Sequence, residues 1–152
     1  MQRESEVSPP QSASSARPGI RFDPATLRRG DSVGVLVVDT IAAQRNIIDS
    51  TYVGMARFSG QIELTGHTIA HPDSDVRAVT TCFEADAASA ARLPRWQHDE
   101  RRPWFCFTNR DDALQMLGTA GNATIVVDSF TIHRGLTDEV NSAHLARVVE
   151  RS

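Results

Sequence analysis

The chain has 152 residues, room for one domain of ordinary size, and its 40% hydrophobic content is that of a globular protein. Acidic residues outnumber basic ones 19 to 16, giving a net charge of -3 that counts against a dedicated nucleic-acid protein. No apolar run approaches the roughly 20 residues of a transmembrane helix, and all 16 basic residues are arginine, so lysine Schiff bases, P-loop lysines and lysine general bases are excluded.

Residues 1–19 read as a disordered tail. Serine, proline, glutamine and charge dominate there, and such a stretch cannot bury enough apolar surface to offset an ordering cost of roughly 1–2 kcal/mol per residue. It lacks the basic start and apolar core of a signal peptide, which taken literally means a cytoplasmic protein. It also has the texture of a polar tether behind the cleavage site of an exported or lipid-anchored protein, so an upstream signal already removed would place the chain in the periplasm or envelope.

A single domain is expected over residues 20–152. Val33 to Ile41, β-branched and entered through Arg29-Gly30-Asp31, predicts a buried strand. Asn46 to Ser50 is a connection, and Tyr52 to His71 a long strand. Within it Val53 and Met55 are odd-numbered while Phe58, Ile62 and Leu64 are even, which reads as a slip in phase near Gly60. A return slip is expected by Ile69, beyond Gly66, with bulges or bends at the glycines. Pro72-Asp73 is a turn. Val79 to Ala85 is a short strand, Ala87 to Arg92 a helical turn stopped by Pro94, and Trp104 to Thr108 another strand. Asn109 is placed to cap a short helix through Ala113, Leu114 and Leu117, with Gly118 as its stop. Asn122 to His133 is a strand. Ala143 to Val149 fits a strand or a helix.

This order, with FSGQIELTGHTI, VTTCFEA, WFCFT, the helical DDALQMLG, NATIVVDSFTIHR and AHLARVV as its pieces, resembles the OB-fold over residues 52–151. It is similar to the uncharacterised small OB-like domains found in bacterial proteins. The resemblance implies a mainly β protein: a small antiparallel barrel, one short helix between strands three and four, and an additional N-terminal strand. An SH3-like barrel would give much the same pattern.

Cys82 and Cys106 are the only cysteines. On this topology they fall on adjacent antiparallel strands, where they would form either a cross-strand disulfide, implying export, or two buried thiols in a cytosolic core. No CxxC pair supports zinc. His67 and His71 precede Asp73 and Asp75, but on a strand four residues span about 13 Å, too far for both histidines to hold one ion. A metal-dependent hydrolase at His67 and His71 therefore requires the chain to fold back at Pro72. No nucleophile elbow, HExxH, GxGxxG or P-loop occurs, so no catalytic residue, metal or cofactor is assigned.

Residues 92–107, RLPRWQHDERRPWFCF, concentrate four arginines against two acids, a local charge of +2, together with both tryptophans. Arginine beside aromatic rings is the chemistry of base stacking. Arg95, Trp96, Arg101, Arg102, Trp104 and Phe107 are the candidate ligand contacts. The bland alternative puts Trp104 and a phenylalanine in the core and leaves the arginines to solvate a loop. The expected function is a non-catalytic binding or structural module, tethered at the envelope if exported, whose partner is an unidentified protein or oligomeric ligand. A weak single-stranded nucleic-acid binder is the alternative, disfavoured by the net charge. An open barrel edge would equally serve dimerisation.

Overall fold

The computed structural model describes residues 17–71, 80–135 and 140–152. The tail ahead of Arg17, the start of the Val79 strand and the Pro72-Asp73 turn with Asp75 lie outside the described residues. The chain is mainly β. Strands β1 (Ile20–Phe22), β2 (Ser32–Val33), β3 (Leu36–Arg45), β4 (Tyr52–Ala70) and β5 (Thr81–Ala85) are followed by a one-turn helix, α1 (Ala87–Ala90). Then come β6 (Pro94–Trp96), β7 (Trp104–Phe107), helix α2 (Arg110–Leu117), β8 (Gly121–Arg134) and β9 (Asn141–Arg151).

Seven strands form one mixed sheet in the order β2-β3-β4-β5-β7-β9-β8, and β8 pairs back onto β4. Five strands therefore close a ring, β4-β5-β7-β9-β8, in which only β7 and β9 run parallel. The length of β4 makes this closure possible. One edge takes β3 along Tyr52 to Ser59 and β5 along Gly66 to Ala70, while the other edge holds β8 from Gly54 to Thr68. Gly66 sits where β5 crosses: a Cβ there would lie 2.1 Å from the Glu84 carbonyl oxygen, so only glycine admits the approach.

The register of β4 against β8 shifts between Ser59 and Ile62, and Gly60 has φ +121°, so the bulge expected at this glycine is present. The phase slips do not take the form the hydrophobicity suggested. Even-numbered Ala56, Phe58, Ile62, Leu64 and Thr68 are buried on one face. Val53, Met55 and Ile69 are half-buried on the other. An apolar residue on a partly covered outer face mimics a shift in phase.

Phe58, Phe83, Phe105, Leu64, Ile125, Val127, Ile132 and Leu145 are almost fully buried and form the centre of the core. Each large side chain contributes roughly 1.5–3 kcal/mol by leaving water. Two three-residue strands escaped the sequence reading. β1 and β6 pair in parallel, Ile20 with Pro94 and Phe22 with Trp96, and carry the edge-to-face rings of Phe22 and Trp96, 5.7 Å apart, onto Phe58. Residues 141–151 are strand, which resolves the ambiguity of 143–149: Ala143 and Leu145 alternate into the core.

Helix α2 starts after Asn109 and ends at Gly118, whose φ is +71°. Its inward face is Ala113 and Leu117, while Leu114 is exposed. Asn109 makes no side-chain cap. Its amide instead donates to the Leu145 carbonyl oxygen (2.9 Å) and accepts from the Leu145 N–H (3.0 Å), prolonging the β7–β9 ladder with a side chain. A long-range partner with two matching groups outcompetes the local N–H that capping would satisfy. Asp86 does cap α1, accepting from the Ser89 N–H at 2.9 Å, and Ser89 in turn accepts from the Thr65 N–H at 2.8 Å.

Candidate functional site

Alternation divides β5 and β7 cleanly. Phe83, Ala85, Phe105 and Phe107 point into the core. Cys82, Glu84, Trp104 and Cys106 therefore share the outer face. The register sets them in two rows across neighbouring strands, His67–Glu84–Trp104 and Ile69–Cys82–Cys106–Ser142.

In the first row Glu84 is a largely buried carboxylate with an arginine and a histidine beside it. Arg102 grips it with two guanidinium nitrogens, one of them 3.2 Å from Oε2, and His67 Nε2 lies 3.6 Å from Oε1. The hydrogen bond to Glu84 and its charge raise the Arg102 pKa above its ordinary value. Trp104 is half-buried, and the His71 ring packs against it in an edge-type contact, centroids 5.6 Å apart at 61°. The surface so formed is a half-buried indole bordered by imidazoles and a guanidinium. In the second row Cys82 and Cys106 are directly opposite and joined, S–S 1.94 Å.

The segment singled out by its arginines and tryptophans divides between surface and interior. Trp96 and Phe107 are core residues, 1% and 2% exposed. Arg95 is buried as well, and its guanidinium donates to the carbonyl oxygens of Pro18 (2.9 Å), Asp99 (2.8 Å) and Arg101 (2.9 Å). Burial lowers its pKa, an effect opposed by the Asp99 charge. Asp99, also buried, is chelated by the Arg101 side chain at 2.9 and 2.8 Å and accepts from the Arg101 N–H at 3.1 Å. Burial alone would raise the Asp99 pKa, but the hydrogen bonds and charge of Arg101 outweigh it and hold the carboxyl below its usual range.

This knot fastens the chain at Pro18 to the loop before β7, and Arg101 carries it on to Asn141 of β9 at 3.2 Å. It encloses a cavity of about 20 Å³ beside Arg95, Asp99 and Phe105, room for a single water. Of the six candidate contacts, Arg102 and Trp104 lie on the outer face beside Glu84, and Arg101 is partly exposed.

His67 and His71 lie on this same face, His67 within β4 and His71 just beyond it, and each is engaged with a neighbour. Among the described residues no group of three His, Cys, Asp or Glu side chains could hold a metal ion. A concavity that composition did not signal is a groove of about 370 Å³ between the β3–β4 turn and residues 97–98, lined by Asp23, Asp49, Tyr52 and His98. Ser50 and His98, the non-glycine residues with positive φ among those described, both border it. No family model, curated protein or solved structure matches this chain.

Proposed function

We propose that this chain is a non-catalytic binding or structural module of OB-like architecture whose contact face is the outer surface of β5 and β7. The observation that carries the reading is the pairing order. The ring β4-β5-β7-β9-β8, with β7 and β9 parallel and α2 between β7 and β8 in the chain, follows the order of OB strands one, two, three, five and four. In that architecture oligosaccharides and oligonucleotides are held on the face of strands two and three, which here correspond to β5 and β7. Trp104 would supply a stacking surface and Arg102 with Glu84 a polar border. The Cys82–Cys106 bond favours an oxidising compartment, and with it an envelope location.

The test is a titration of the oxidised protein with defined oligosaccharides and with a mixed-sequence single-stranded oligonucleotide, read by isothermal titration calorimetry. A saccharide response lost in the Arg102→Ala, Trp104→Ala double variant, with thermal stability retained, supports the assigned face. A probe bound equally well by that variant refutes it. The half-buried Trp104 beside His71 and Arg102 also suits a stacked base, the single-strand-binding reading. A response to the oligonucleotide alone that fades as salt rises would transfer the function to that class.

A further inference from the structure

Strand β3 is the outermost long strand of the sheet, and most of its free edge is uncovered. β2 pairs only with Leu36 and Val37, and Val38 exchanges backbone bonds with Gly30 and Asp31. From Asp39 to Arg45, DTIAAQR, no strand among the described residues pairs on that side. At about 3.3 Å per residue this edge is roughly 20 Å long. It has no proline or lysine to block pairing. At the turn, the Asn46 N–H donates to the Thr51 carbonyl oxygen. Alternation along an antiparallel ladder then commits Gln44 and Ala42 to β4 and leaves the N–H and C=O groups of Ile41, Ala43 and Arg45 facing outward.

We infer that this edge pairs with the same edge of a second copy, antiparallel about a two-fold axis at Ala42. Three features of the segment fit that register. The outward-facing residues meet one another, Ile41 opposite Ala43 of the second copy and Ala43 opposite its Ile41. Ala42, one of the segment's two alanines, sits opposite itself, where strands approach most closely. Asp39, at the register shift between Val38 and Thr40, lies level with Arg45 of the other copy, and the two-fold axis repeats that approach of opposite charges at both ends.

The exposed apolar residues follow the same arrangement. Ile47 and Ile48 are 95% and 87% exposed beyond the C-terminal end of β3, and Val35 and Val37 are 67% and 41% exposed at its N-terminal end. Antiparallel pairing brings the first pair of one copy to the end of the other where β2 covers Leu36 and Val37.

The experiment is light scattering and sedimentation velocity on the full chain across a wide concentration range. Wild type should be a dimer. Ala43→Pro removes an outward N–H without touching the β4 ladder and should yield folded monomer. Asp39→Arg and Arg45→Asp each place like charges opposite at two symmetric positions and should weaken dimerisation by roughly tenfold or more. The Asp39→Arg, Arg45→Asp double variant restores opposite charges in exchanged positions and should dimerise again. If Ala43→Pro fails to fold, the charge exchange decides the matter.

A protein that stays monomeric at every concentration overturns the inference. So does a dimer insensitive to the single charge reversals, which must use another surface. A monomer that dimerises only after removal of residues 1–16 also overturns it, because those residues would then be the occupant of the edge.

Discussion

Reducing the Cys82–Cys106 bond should destabilise the protein by a calculable amount. The two residues are 24 apart, and the loop they close contains α1, β6 and the Arg95–Asp99 knot. In the native state the β5–β7 ladder already holds Cys82 opposite Cys106, so cutting the bond acts mainly on the unfolded chain. Closing a loop of this size removes chain entropy equivalent to about 3.5 kcal/mol at room temperature. With a urea dependence of about 2 kcal/mol per molar, the midpoint should fall by roughly 1.7 M on reduction.

Tryptophan fluorescence reads the transition, because Trp96 is 1% exposed and moves into water on unfolding. Comparing oxidised with reduced wild type holds every other atom constant. The Cys82→Ala, Cys106→Ala double variant should fall slightly below the reduced protein, since Cys82 is fully buried and its sulfur fills space. Coincident midpoints for the oxidised and reduced proteins would refute the loop-closure reasoning. Alkylation of the denatured, unreduced protein from its native source provides a second check. Two labels would mean free thiols, a reducing compartment and no envelope role.

Three further outcomes follow from the packing. Gly66→Ala places a methyl 2.1 Å from the Glu84 carbonyl oxygen and should abolish the cooperative melt; a folded variant near wild-type stability would show that β5 can shift away. Asp99→Asn should lower the melting temperature at neutral pH. A carboxyl whose pKa is held down by Arg101 contributes stability above the ordinary aspartate value, and that contribution is lost as pH falls through the lowered folded value. The gap between wild type and Asp99→Asn should therefore close below about pH 4, and a gap constant down to strong acid would refute this. Asn109→Ala removes both bonds to Leu145 and leaves its buried backbone unpaired, at a cost of about 2 kcal/mol in chemical denaturation. A change near a few tenths, typical of an exposed cap, would restore the local capping role.

Much of the ring was legible because it is built from local signals. The glycines of Tyr52–Ala70, the alternation of Trp104–Phe107 and Asn122–His133, and Gly118 after an apolar helical face are each set by the backbone and side chains of a few adjacent residues. The cysteines were also legible, since two residues near the middle of short neighbouring strands tend to meet when those strands pair. The arginine and tryptophan segment was less so. Its composition suggested a ligand surface, but composition does not say which side of a strand or loop a residue occupies.

The sequence by itself determined a β-rich chain with one long bent strand, a short helix and a pair of cysteines positioned to meet, because period, turn chemistry and glycine steric freedom act over a few residues. Only the tertiary structure decided that Arg95 and Asp99 are buried, that Trp96 and Phe107 belong to the core, that Asn109 bonds a distant strand rather than its own helix, and that β3 presents a free edge. Each of these depends on partners far away in sequence: Arg95 is held at Pro18, 77 residues back, and Asn109 at Leu145, 36 residues on. A buried charge is tolerable only where carbonyl oxygens or an opposite charge replace its water. Those replacements exist only once the ring has closed.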